Sequence, residues 1–162
     1  MSANIRVGYG YDVHRLASGR DLWLGGVRVD YNRGLVGHSD ADVLVHAVAD
    51  AVLGAAALGD IGRHFPDSEG RWKDMKGTAL MERVLSMARQ KGFRVVNVDC
   101  IIHAEQPKLS PHREKILESL AAMLDVPADA VNVKFKTNEG LDAVGRVEAI
   151  AASAVALLSN KA

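Results

Sequence analysis

The amino-acid sequence predicts an α/β sandwich, a β-sheet that carries its helices on one face. Three observations predict it. The chain has 162 residues, the size of a single domain spanning 1–162, and no internal repeat, low-complexity tract or Pro/Gly/Ser-rich linker divides it. Strand-like segments come first and then alternate with helical ones. Hydrophobic residues make up 48%, mostly small: 23 Ala and 19 Val against eight aromatics. Layers built from them can pack closely but have few large side chains to anchor them.

Each element follows from its local pattern. Ile5–Leu16 alternates with Gly and Tyr and reads as a strand. Leu22–Leu24 and Val27–Val29 flank Gly25-Gly26, a hairpin signal. A helix is expected from about Ser39 to Leu58, with Ser39 as N-cap and Asp42 completing an S-x-x-D box. Gly59–Asp74 is polar, contains Pro66 and reads as a long loop of the functional kind. A second helix covers about Thr78–Gln90 and stops at Gly92. Val95–Ala104 is β-branched enough for a buried strand. Ser110-Pro111 opens a third helix that ends near Leu124. Val131–Lys136 alternates as a strand, and Arg146–Leu158 is expected as the last helix. That helix is apolar nearly all round from Ala149 onward, as one buried on two sides would be.

Charge and cysteine content narrow the function classes. Twenty Lys and Arg balance twenty Asp and Glu, which argues against a nucleic-acid binder relying on net charge. The one cysteine, Cys100, makes no internal disulfide and reads as inert core in a reducing compartment. The longest apolar stretch, Ala149–Leu158, is half the roughly 20 residues a membrane span needs. Strand-like sequence by Ile5 leaves no room for a signal peptide, so a cytoplasmic protein is expected.

Asp12 and His14 lie two apart in a strand, so both leave the same sheet face, with roots about 7 Å apart. Asp42, His46 and Asp50 recur every four residues as a polar stripe on an otherwise apolar helix. A carboxylate and two imidazoles are a common zinc set with a fourth position open. Asp42 or Asp50 is within reach of the second N–H of His46. The same spacings also suit solvent-facing side chains and a wetted helix face. His38-Ser39 at the expected helix start favours an anion. Asp60-Ile61-Gly62 and Phe65-Pro66-Asp67 stud the long loop, and Lys136-Thr137-Asn138-Glu139-Gly140 ends a strand. A lysine, a hydroxyl and a carboxylate there suit a metal-bridged diphosphate, or an ordinary polar turn. Gly8-Tyr9-Gly10 lacks the rest of a dinucleotide loop, and there is no Walker lysine motif.

Together these segments resemble the 2-C-methyl-D-erythritol 2,4-cyclodiphosphate synthase family of the non-mevalonate isoprenoid pathway. The resemblance is carried by Gly-Tyr-Asp-Val-His at 10–14, Gly-His-Ser-Asp-Ala-Asp-Val at 37–43, His46-Ala47, residues 53–62, Phe65-Pro66-Asp67, Pro107-Lys108-Leu109, Val131-Asn132-Val133-Lys134 and Thr137-Asn138-Glu139. It implies a small mixed sheet with helices on one face, assembled as a homotrimer with the sheets around the threefold axis. It implies zinc, one ion per subunit, on Asp12, His14 and His46, and magnesium or manganese on Glu139. Asp12, His14, His38, Ser39, Asp60, Ile61, Gly62, Phe65, Pro66, Asp67, Ser68 and Glu69 would surround the methylerythritol and its phosphate. Ala104, Pro107, Lys108, Leu109, Lys136, Thr137, Asn138, Glu139 and Arg146 would meet the rest of a cytidine diphosphate substrate, each site being shared by two subunits. His38 and Thr137 would stabilise the transferring phosphoryl group, with no nucleic-acid or membrane partner. A sensor that binds without catalysis and a zinc phosphodiesterase are the other readings of the same residues. The chain departs from the family's Gly-Arg-Gly-Glu-Gly at Gly145-Arg146-Val147-Glu148-Ala149, and Asp142-Ala143 stands where a Gly-aromatic pair is frequent. His103 is read as a hydrogen-bonded strand histidine.

Overall fold

In a computed structural model the structure describes residues 4–160. In chain order they form β1 (Ile5–Ser18), the hairpin β2 (Leu22–Leu24) and β3 (Val27–Val29), β4 (Arg33–Leu35) and α1 (Val43–Ala55). The short α2 (Ile61–His64), α3 (Gly77–Gln90), β5 (Arg94–His103) and α4 (Arg113–Leu124) follow. β6 (Val131–Lys136), the short α5 (Asp142–Gly145) and β7 (Ala149–Ser159) complete the series. One mixed sheet has the order β4-β1-β7-β5-β6, with β5 and β6 parallel and the other neighbours antiparallel. The expected sandwich is therefore present.

The last element is a strand where the sequence predicts a helix. β7 pairs with β1 from Arg15↔Ala149 to Ile5↔Ser159 and with β5 along its other edge. Alanine favours a helix, but pairing on both edges overrides that preference. The short apolar run also has no period of its own to separate a buried strand from a buried helix. Ile150, Ala152, Ala154, Ala156 and Leu158 all face the helices and are buried. The helix buried nearly all round is α1 instead, with every residue from Val43 to Ala49 buried.

Small residues let α1 lie directly on the sheet. A Cβ placed on Gly8 would meet the Ala51 carbonyl oxygen at 1.9 Å, and one on Gly10 the Ala47 oxygen at the same distance. Only glycine permits backbone to approach backbone that closely. Because side chains alternate along a strand, Gly8, Gly10, Asp12 and His14 share one face. The helix that rests on the two glycines thereby sets His46 over Asp12 and His14.

The start of α1 also differs from expectation. Ser39 is not its N-cap; the helix begins at Val43 and is capped by Asp42. The buried Asp42 carboxylate accepts the N–H groups of Val45, Gly25 and Gly26. It holds the β2–β3 turn against the helix and fills the N-terminus expected to attract an external anion. Gly25 and Gly26, at φ 62° and 77°, make that turn. The opposite sheet face is open and apolar, with Val7, Tyr9, Tyr11 and Val13 all exposed.

Candidate metal centre and substrate cavity

β1 and α1 bring three distant residues into one cluster. Asp12 Oδ2 lies 2.9 Å from His14 Nε2 and 3.0 Å from His46 Nδ1, and the two imidazole nitrogens are 3.2 Å apart. A tetrahedral ion with bonds of 2.0–2.1 Å separates its ligand atoms by roughly 3.3 Å. The donor set thus fits a divalent metal after an expansion of a few tenths of an ångström, and it is the one such His/Cys/Asp/Glu group among the described residues.

The remaining imidazole nitrogens fix which atoms face the centre. His14 Nδ1 meets the Val36 carbonyl at 2.7 Å, so it donates there and leaves Nε2 free as a ligand. His46 Nε2 lies 3.1 Å from Ser39 Oγ. Neither Asp42 nor Asp50 takes the second N–H of His46: Asp42 caps the helix, and Asp50 accepts the Ile61 N–H at 2.8 Å. The stripe expected on α1 therefore divides its work among three neighbours. Burial pushes the Asp12 carboxyl up, but hydrogen bonds from His14 and His46 reverse this and hold it well below the usual carboxylate range. Burial likewise opposes charge on His14, yet the Asp12 carboxylate outweighs it and raises the imidazole above its ordinary value.

A cavity of about 470 Å³ opens beside this cluster. It is lined by all three residues together with His38, Ser39, Ile61, Gly62, Phe65, Pro66, Asp67 and Glu69. Asp67 Oδ2 lies 3.9 Å from His38 Nε2. Asp60 and Ser68 are not among the lining residues; the Asp60 carboxylate instead caps α2 by accepting the Arg63 N–H at 3.0 Å.

The second group expected at the site lies elsewhere in the chain, where the parallel strands β5 and β6 end together. The Ala104 N–H donates to the Lys136 carbonyl at 2.9 Å, and the Asn138 N–H donates to Glu105 Oε2 at 3.1 Å. Thr137 Oγ1 donates to Glu139 Oε1 at 3.3 Å. Pro107, Lys108 and Leu109 follow on the same loop, with Leu109 buried. None of these residues lines the cavity beside Asp12. Arg146, outside both groups, grips Glu148 through two contacts of 3.1 and 3.2 Å.

The sequence profile of the YgbB family matches residues 5–159. The chain belongs to that family. A relative from Bordetella avium (strain 197N) named 2-C-methyl-D-erythritol 2,4-cyclodiphosphate synthase is 51% identical over 162 residues, all of both chains. A solved structure of a 2C-methyl-D-erythritol-2,4-cyclodiphosphate synthase, in a form bound to CDP, is 37% identical with a TM-score of 0.88, covering 94% of this chain and 99% of that one. The bifunctional IspDF from Campylobacter jejuni is also 37% identical with a TM-score of 0.93; 98% of this chain matches 43% of that longer one.

Trp72, Lys73, Met75 and Leu80 also line the cavity, and sequence reasoning missed them. The signal was the polar loop after α1, whose course over the site is set by distant backbone bonds: the Asp74 N–H donates to the His38 carbonyl at 2.8 Å. His103, read as hydrogen-bonded, is half-buried on the open sheet face and makes no side-chain hydrogen bond among the described residues. Cys100 is buried as expected, and burial pushes its thiol up to about 12.

Proposed function

We propose that this chain, as a single domain, is a cyclodiphosphate synthase. It converts 4-diphosphocytidyl-2-C-methyl-D-erythritol 2-phosphate to 2-C-methyl-D-erythritol 2,4-cyclodiphosphate and CMP, in isoprenoid precursor biosynthesis. An oxygen of the 2-phosphate attacks the β-phosphorus, and the bond from that phosphorus to the bridging α–β oxygen breaks to release CMP. The carrying observation is the Asp12/His14/His46 cluster opening on a cavity, in a chain with full-length relatives of that name.

Zinc on Asp12, His14 and His46, with magnesium or manganese on Glu139, would neutralise phosphate charge and orient the diphosphate. The protein's own residues do the rest. The nucleophilic phosphate is already anionic near neutral pH, so no side chain has to remove a proton. The chain's work is to fold the substrate for in-line attack, which removes much of the entropic barrier. Ile61, Gly62 and the stretch from Phe65 to Glu69 hold the methylerythritol, with Asp60 positioning that turn. His38 and the Thr137 hydroxyl donate to the phosphoryl oxygens as charge moves onto them. Ser39 and the Val36 carbonyl keep the two imidazoles in their ligating orientation.

The cavity half and the half formed by Ala104–Leu109 and Lys136–Glu139 come from neighbouring subunits of a homotrimer. Two observations support this: the halves are separate within one chain, and the open sheet face carries Val7, Tyr9, Tyr11 and Val13 at 65, 64, 53 and 47% exposure. An apolar stripe of that size on a sheet calls for a partner surface. Among the described residues no helix is long and apolar enough to cross a membrane, and a cytoplasmic enzyme is the reading that suits a pathway of small charged intermediates.

Metal analysis combined with a CMP-release assay tests the reading. The wild-type protein should hold one zinc per chain and release CMP without taking oxygen from labelled water. His46→Ala should lose zinc and CMP release together. Full activity in a zinc-free His46→Ala protein, or solvent oxygen in the product, would overturn it.

A further inference from the structure

The charges that line the cavity do not match its cargo. Three carboxylates face it, those of Asp12, Asp67 and Glu69, and three imidazoles, those of His14, His38 and His46. A substrate bearing a phosphate monoester and a diphosphate brings several more negative charges. Asp12, His14 and His46 are committed to one another and to the metal. One lysine or arginine lines the cavity among the described residues, and it is Lys73.

Lys73 is placed for an anion and is not taken up by the protein. The nearby Glu69 carboxylate is already paired with Arg71 at 2.5 Å, and Lys73 makes no ion pair among the described residues. Lys73 is exposed. Its backbone is held: the Lys73 N–H donates to the Gly70 carbonyl at 3.2 Å, and the chain then reverses at Asp74, which has φ 59°. Asp74 and Met75 are bonded to His38 and Asp40, so Lys73 rises from the strip that is stitched to the His38-Ser39 wall.

We propose that Lys73 binds the 2-phosphate of the substrate and positions it as nucleophile. This rests on the reaction proposed above. There the diphosphate is met by metals and by the second subunit, whereas the 2-phosphate has no cation assigned to it. It must nevertheless approach another anion to within bonding distance. An ammonium on a four-carbon stem can follow the phosphate through that approach, donating to a non-bridging oxygen while another oxygen attacks. Lys73 acts as a binding group: it takes no proton and forms no covalent bond.

The test compares zinc-loaded wild type, Lys73→Met and Lys73→Arg by calorimetric titration with substrate, CDP and inorganic phosphate, alongside CMP release. A charged hydrogen bond of ordinary strength predicts that Lys73→Met weakens substrate binding and kcat/KM by about 10- to 100-fold. Lys73→Arg should recover most of that loss, CDP affinity should stay unchanged, and all three proteins should retain one zinc per chain. Wild-type substrate affinity in Lys73→Met overturns the proposal, as does an equal loss of CDP affinity, which would mark a structural role. If the wild type releases no CMP, the reaction itself is refuted and the phosphate titration decides Lys73 alone. Equal phosphate affinity in wild type and Lys73→Met overturns its anion role, and weaker affinity in the variant supports it.

Discussion

Replacing Gly10 by alanine should damage the metal centre without touching any ligand. The added Cβ would lie 1.9 Å from the Ala47 carbonyl oxygen and 2.8 Å from the Ala51 nitrogen. Both are backbone atoms of α1, so no side chain can swing aside. The helix and β1 must separate by more than about 1 Å to restore ordinary contact. His46 directly precedes Ala47, and Asp12 is the next residue on that face of β1 after Gly10. Nearly all of that separation therefore reaches the ligand set. The two distances from His46, 3.0 Å to Asp12 and 3.2 Å to His14, would open to about 4 Å, against the roughly 3.3 Å that a tetrahedral zinc site requires. Overpacking of this kind costs about 1–3 kcal/mol, which lowers Tm by roughly 3–10 °C for a chain of this length. Zinc affinity should fall at least about 10-fold, as when a metal's supporting contacts are lost. Competition with a chromophoric chelator measures the affinity, and thermal unfolding of the metal-free protein measures the fold. Wild-type zinc affinity in Gly10→Ala would refute the reasoning that helix–strand spacing sets the ligand separations.

Two further outcomes are expected. His46→Ala and Glu139→Ala, each inactive alone, should regain about a quarter of wild-type CMP release when co-refolded one to one, because randomly mixed rings pair intact halves at that frequency; no recovery in verified mixed trimers would show that both halves serve one chain. Burial raises the Asp50 carboxyl above its ordinary value, although the Ile61 N–H opposes this. A raised carboxyl is a liability once pH exceeds its folded pKa and is neutral below the unfolded value near 3.8. Asp50→Asn keeps an acceptor for Ile61, so in the metal-free protein it should be more stable than wild type at pH 7, with the gain vanishing near pH 3.5. Denaturant unfolding at both values checks the sign.

Much of the fold was legible because local signals agreed with tertiary need. Gly25-Gly26 fixed the hairpin, Gly92 ended α3, and the period-2 pattern of β1 set Asp12 and His14 on one face. His46 stood out as a polar break in an apolar helix. β7 failed because its two faces are both apolar, and because the strands that define it lie more than forty residues away in sequence. The cap of α1 was misassigned because Ser39 has the right chemistry for a cap, while the buried partners that draw Asp42 into the role, Gly25 and Gly26, belong to the hairpin. Lys73 and Trp72 were illegible for a related reason. Their place at the cavity depends on backbone bonds to His38 and Asp40, and backbone bonds leave no residue signature.

The position of β7 governs how the protein can be made. The strand nearest the end of the described chain lies in the middle of the sheet, between β1 and β5. Until synthesis passes Ser159, β1 has only the three-residue β4 beside it, and two long edges of unpaired backbone stay open. The ligands on β1 and α1 are made about a hundred residues ahead of β7, the strand that steadies them. Maturation of the metal centre should therefore wait until β7 has been made, and a nascent chain stalled before residue 149 should expose those edges to chaperones or to other nascent copies.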